Sequence, residues 1–177
     1  KNGYYNVVIP SEDGKINTFL VKVENDEIQM KDFNLPEGNL SNEVVVEAGT
    51  PDIVVGGLED MLVPSGAASS DTAGVTAEDQ RIAKSGGDVD VRFTAKQIKE
   101  DTDEAAKIKA KMAEDNKTVG MNLDLSVLKT VTTIKGDAST KTETRLTELD
   151  QAVMVRIPID KNNQGKKNYV VYRSHTG

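Results

Sequence analysis

Between residues 153 and 159 every second side chain is apolar: Val153, Val155, Ile157 and Ile159 fall on one face, with Met154, Arg156 and Pro158 on the other. A period of two belongs to a half-buried strand, because successive side chains leave a strand on opposite sides. A polar stretch with Gly165 follows, which suits a loop, and residues 169–174 read as a second strand. Strands constrain a chain more than helices do, since each needs partners for its backbone groups as well as cover for its apolar face.

The same punctuation runs through the rest of the chain. Residues 4–9 form an apolar run closed by Pro10, and Ser11-Glu12-Asp13-Gly14 is a strong turn signal. Residues 16–23 alternate, Asn25-Asp26 marks another turn, and 27–33 resume strand character. This predicts a β-meander over 1–38, stable only if one face is covered, by the rest of the chain or by a preceding module. Residues 35–39 are the best linker, and a main unit is expected over 43–177. Within it, Val44-Val45-Val46 restarts strand character, Gly56-Gly57 precedes one helical turn at 58–62, and 64–74 is rich in Ser, Ala and Gly, as mobile loops are. Thr76 with Asp79 three residues on is a capping-box variant that opens a short helix over 77–84, and Gly86 suits its stop.

Residues 88–97 alternate cleanly, with Val89, Val91, Phe93 and Ala95 on one face. The best helix lies at 101–116. Asp101 can cap it, and Ala105, Ile108 and Met112 form a narrow apolar stripe suited to a lid on a sheet. Residues 119–128 return to strand, and the Thr-rich stretch 130–144 with Gly136-Asp137 reads as a hairpin tip. A helix between two clean strands also makes a parallel crossover conceivable.

Composition narrows the function classes. A chain of 177 residues suits one domain, or one with a small companion, and 37% hydrophobic with 4% aromatic residues makes its core lean and aliphatic. A net charge of −7 without a basic stripe argues against a nucleic-acid partner. The absence of cysteine removes disulfides and thiolate metal sites. No window approaches the roughly 18 apolar residues of a membrane span. Opening on Lys1 with no signal peptide predicts a segment excised from something longer.

Several strings together resemble an immunoglobulin-like module that recurs in large exported surface proteins of Gram-positive bacteria. They are Gly57-Leu58-Glu59-Asp60, the alternating Leu and Asp of 119–129 ending in Lys129, Thr147-Glu148-Leu149, Ile157-Pro158-Ile159, and Gly165 with Lys167 to Arg173 before His175. The likeness covers roughly 44–177 and also includes a strand-helix-strand insertion. The resemblance implies a mainly β fold, an immunoglobulin-like β-sandwich with one amphipathic helix and one or two short helices inserted between strands. In those modules the turn after the His leads into further closing strands, so this one is expected to be truncated at its C-terminus and to expose a sheet edge that invites pairing with another copy.

Chemistry-bearing residues are few. Asp160, Asn162, Gln164 and Gly165 mimic the first half of a calcium loop, but Val171 stands where the bidentate Glu belongs, so a polar loop is expected. His175 is the only histidine and lacks partners for a triad or a zinc site. Ser65, Ser69 and Ser70 have no nucleophile elbow, Gly56-Gly57 and Gly86-Gly87 are simple doublets, and Glu100, Asp101, Asp103 and Glu104 suit a solvated helix start. A self-formed amide between a Lys and an Asn or Asp, which exported β-sandwiches can carry, requires a desolvated Lys. Lys22, Lys96 and Lys129, like Asn122 and Asp124, are read as facing away from the apolar stripe and hence solvated.

No catalytic, cofactor-binding or metal residue is therefore expected. The reading is a non-catalytic structural or adhesive module, outside the cell on the surface or in the wall. It would act as a spacer beside neighbouring modules of its own polypeptide, or bind a protein or glycan there. The alternative is a carbohydrate-binding module appended to a secreted enzyme, for which Tyr4, Tyr5, Tyr169 and Tyr172 would supply the stacking rings in the absence of Trp.

Overall fold

A computed structural model describes residues 1–10, 14–29, 38–62, 67–99 and 102–174. Its strands are β1 (Gly3–Pro10), β2 (Ile16–Glu24), β3 (Glu27–Gln29), β4 (Leu40–Val46), β5 (Val54–Gly56), β6 (Asp88–Gln97), β7 (Leu123–Lys135), β8 (Ala138–Arg145) and β9 (Met154–Arg156); its helices are α1 (Ala77–Lys84) and α2 (Asp103–Glu114). The molecule is mainly β, its described residues forming three sheets ordered β1-β2-β3, β4-β6-β7-β8 and β5-β9.

The four-stranded sheet is the frame. Val89, Val91, Phe93 and Ala95 of β6 are all buried, as their alternation predicts. Leu40 from β4 and Val127 from β7 join them, and the cover consists of Ile53, Val55, Leu58, Met61, Leu62, Val75, Ala83 and Leu146. Residues 58–62 enter this cover through a 3-10 turn, Glu59–Leu62, close to the expected helical turn. β4 and β6 pair in parallel, while β6 and β7 pair antiparallel. The parallel crossover thus contains α1, and α2 instead spans two antiparallel neighbours.

α1 occupies the expected residues with the expected capping box. Thr76 Oγ1 accepts from Asp79 N at 3.1 Å, and Asp79 Oδ2 accepts from Thr76 N at 2.8 Å. α2 is capped by Thr102, whose hydroxyl accepts from Ala105 N at 3.2 Å; Asp101, the expected cap, lies outside the described residues. Ala105 and Met112 are buried and Ile108 is half-buried, as a lid-like stripe requires.

Three expectations fail locally. The Thr-rich stretch is not a tip: β7 and β8 run through it, paired from Leu128↔Arg145 to Lys135↔Ala138, and only Gly136-Asp137 turns. Threonine's β-branched side chain fits a pleated strand, which explains the extension. The strand expected over 153–159 shrinks to β9, which pairs with β5, and Ile157 and Ile159 are exposed. Pro158 has no N–H to give a ladder, so strand pairing does not continue past Arg156. Residues 169–174 form no strand, and Val171 is 89% exposed.

The N-terminal meander is fastened to the frame by polar contacts. Asn42 Oδ1 accepts from Thr18 N at 2.6 Å, and Asn17 Oδ1 accepts from Asn42 N at 3.2 Å. Asn6 grips Val55 at both backbone groups, accepting from its N at 3.1 Å and donating to its O at 2.6 Å. Lys15 pairs with Asp88, and the Arg156 guanidinium stacks 3.4 Å over the Tyr4 ring. Residues 30–37, which include the expected end of the third strand and most of the linker, lie outside the described residues.

Candidate functional site

The one buried ionic cluster among the described ion pairs is centred on Lys129. β7 carries Val127, Lys129 and Val131 on its inward face, so the strand's own alternation points Lys129 into the interior. Its residue exposure is 1%, against the solvation expected of it. The expectation that Lys129 faces away from the apolar stripe is overturned, because Lys129 shares strand parity with Leu123, Leu125 and Val127.

Burial of an ammonium is tolerable only with compensation. Lys129 Nζ has three acceptors, which matches its three protons. They are Asp79 Oδ2 at 2.7 Å, Gly74 O at 3.0 Å and Asp71 Oδ1 at 3.5 Å. Asp79 is itself buried, and Oδ2 is shared between Lys129 and the Thr76 backbone N–H. The capping box therefore does two jobs: it starts α1, and it holds a carboxylate rigidly over the sheet. Asp71 is 80% exposed at its side chain and contributes as a solvated outer partner. Chemically the arrangement is a clasp that closes the 71–79 segment onto β7. Lys96 is exposed as expected and Lys22 is half-buried, paired with Glu47 at 3.6 Å and Glu24 at 2.9 Å respectively. Asn122 is buried, contrary to its expected facing, while Asp124 is exposed.

The segment expected to be a mobile loop is partly built into this clasp. Ala73 is buried, Thr72 O accepts from the N–H groups of Thr147 and Glu148, and Ala73 O accepts from Asp150 N at 3.1 Å. Ser69 is bound through both its backbone N–H and its hydroxyl to Asp150, and Ser70 contacts the Thr72 hydroxyl at 3.4 Å. Residues 63–66, including Ser65, lie outside the described residues.

The remaining candidates are dispersed. Asp160 caps a single 3-10 turn, accepting from Asn162 N at 2.7 Å, while Gln164 donates to Ile159 O at 3.1 Å. Asp103 and Glu104 are exposed in the first turn of α2; Glu100, Asp101 and His175 lie outside the described residues. The glycine doublets answer to packing. A Cβ on Gly57, where φ is +97°, would meet Ala152 O at 2.3 Å, and one on Gly87 would meet Thr132 O at 2.5 Å. The four tyrosines do not present one free platform. Tyr4 is covered by Arg156, while Tyr5, Tyr169 and Tyr172 hydroxyls bond Lys1 O, Asn163 O and Asp115 Oδ2 at 2.7, 2.6 and 2.7 Å. The bond to Asp115 holds the Tyr172 phenol above its ordinary pKa.

A concavity of about 400 Å³ lies on the outer face of the four-stranded sheet, rimmed by Gly14 and Lys15. Its lining is polar, with Ser41, Asp90, Arg92, Thr130, Thr132 and Lys141 prominent. The charges are mostly matched: Arg92 with Glu43 at 2.9 Å and Lys141 with Glu143 at 2.8 Å. The hydrogen bond from Lys141 holds the Glu143 carboxyl below its ordinary pKa. Comparison with known proteins returns no matching family model, no similar curated protein and no similar solved structure.

Proposed function

We propose that the chain is a non-catalytic structural module of a bacterial cell-surface protein, outside the cell, serving as a spacer or presenting a face to a surface partner. Its finer architecture on this reading is an immunoglobulin-like sandwich, the four-stranded sheet being one layer and the β5-β9 and β1-β2-β3 sheets the other. The observation that carries the reading is the Lys129–Asp79 clasp. The chain's only deeply buried cation–carboxylate pair among the described ion pairs is closed off at 2% and 7% side-chain exposure, where it holds segments together and has no access to a substrate. A spacer needs such fastening, and the sequence strings at 57–60, 119–129 and 147–175 agree with the surface modules they resemble. Antibodies raised against the chain should label intact cells of the organism that encodes it. Labelling that appears only after lysis would defeat the proposal.

A second reading, a carbohydrate-binding module, draws on the polar concavity, whose hydroxyls and matched charges offer both donors and acceptors to a sugar. A glycan array separates the two. Binding lost on Thr130→Val favours the second reading, and binding lost on tyrosine substitution would move the sugar site to the rings.

A further inference from the structure

We infer that residues 167–174 form a strand-donating arm that pairs with the free edge of β8 in a second copy of this chain. Three observations converge on that occupant, independently of the functional proposal.

The first concerns the arm. Asn168-Tyr169-Val170-Val171-Tyr172-Arg173 is rich in β-branched and aromatic residues, which favour strands. Yet among the described residues its backbone enters no strand, and Tyr169, Val170 and Val171 are 55%, 52% and 89% exposed. Its near end is tied by the Tyr169 hydroxyl to Asn163 O, and Tyr172 reaches the C-terminal cap of α2 at Asp115.

The second concerns the acceptor. Among the described residues β8 lies at the end of the four-stranded sheet and pairs only with β7. It is eight residues long, as long as the arm, and its side chains are almost wholly exposed. The other edges are less open. β4 is engaged by β2 through Asn17, Thr18 and Asn42, β1 is held by β5 through Asn6, and β3 has three residues. An unpaired strand edge is a template for another strand.

The third is charge. From 156 to 174 the chain carries Arg156, Lys161, Lys166, Lys167 and Arg173 against Asp160 alone, in a molecule of net charge −7. One antiparallel register sets Lys167 opposite Glu143 and brings Arg173 level with Asp137 in the turn beyond β8. Lys141 and Arg145 of β8 fall opposite Tyr169 and Gly165, clear of a like charge. The same register sets Val170 opposite Thr140 and Tyr172 opposite Ala138. Opposite charges and β-branched or aromatic pairs across a ladder each favour pairing. A reciprocal exchange of arms makes a closed twofold dimer, using each free edge once.

Sedimentation equilibrium across a concentration series tests this. The expected result is an apparent mass that doubles as concentration rises. Val171 lies opposite Ser139, whose backbone groups face the free edge, so Val171→Pro removes an N–H that the pairing uses. It should return the monomer mass with an unchanged melting temperature, because Val171 is exposed and its backbone holds no strand partner. The register has its own readout, since the chain contains no cysteine. Thr140→Cys with Val170→Cys should give a disulfide-linked dimer on a non-reducing gel, while Thr140→Cys with Val171→Cys, on the opposite face, should not. A monomer at every concentration overturns the inference. So does a dimer indifferent to Val171→Pro, or a disulfide that forms within one chain.

Discussion

Lys129 shows how one residue's facing can be worked out and then tested. With its partner removed or its own charge deleted, the pair leaves an uncompensated ion in the interior, which typically costs about 3–5 kcal/mol. Lys129→Met should therefore lower the unfolding free energy in a urea titration by about that much, because Asp79 stays buried without its cation. Adding Asp79→Asn should recover part of the loss, since Asn can still accept from Thr76 N while carrying no charge. A single-variant loss below about 1 kcal/mol would mean the pair is solvated, as surface pairs are. The burial was legible in principle: Lys129 shares strand parity with Val127 and Val131. What the sequence does not display is the carboxylate that makes burial tolerable. Asp79 lies 50 residues away and is identified only as a cap.

At the scale of elements, local signals that depend on neighbouring residues were legible, and those that depend on a distant partner were not. The capping box of α1, the alternation of β6 and the apolar stripe of α2 are written within a few residues each, and all three hold. β9 is different, because a strand extends only as far as its partner β5 does. Alternation alone predicts that Ile157→Asp unfolds the chain and Arg156→Asp is tolerated; the structure reverses the order. Ile157 is exposed, so its substitution should cost within about 1 kcal/mol. Arg156→Asp loses the stack on Tyr4, at about 1–2 kcal/mol, and should melt lower of the two. The same lesson applies to residues 64–74, which composition reads as a mobile loop and of which 67–74 are described. Because Thr72, Ala73 and Gly74 supply carbonyls to Thr147, Glu148, Asp150 and Lys129, replacing the segment with a Gly-Ser link should cost on the order of 3 kcal/mol. A replacement variant that melts like the parent would show those contacts to be incidental.

At the scale of the whole molecule, the β1-β2-β3 sheet and the frame act as one fastened unit. The joint includes a set of polar contacts: Asn17 and Thr18 with Asn42, Asn6 with Val55, Lys15 with Asp88, and Arg156 with Tyr4. Asn42 is buried, and its Nδ2 has no partner among the described residues, so its contribution comes through Oδ1 and its backbone N–H. Such directional bonds fix the meander in one place, where an apolar contact alone would let it slide. A spacer built this way should not shed its first sheet before the rest unfolds. Differential scanning calorimetry tests this most directly. The expected result is a single transition whose calorimetric and van't Hoff enthalpies agree. Two resolved transitions, with the lower one abolished by deleting residues 1–29, would contradict the account.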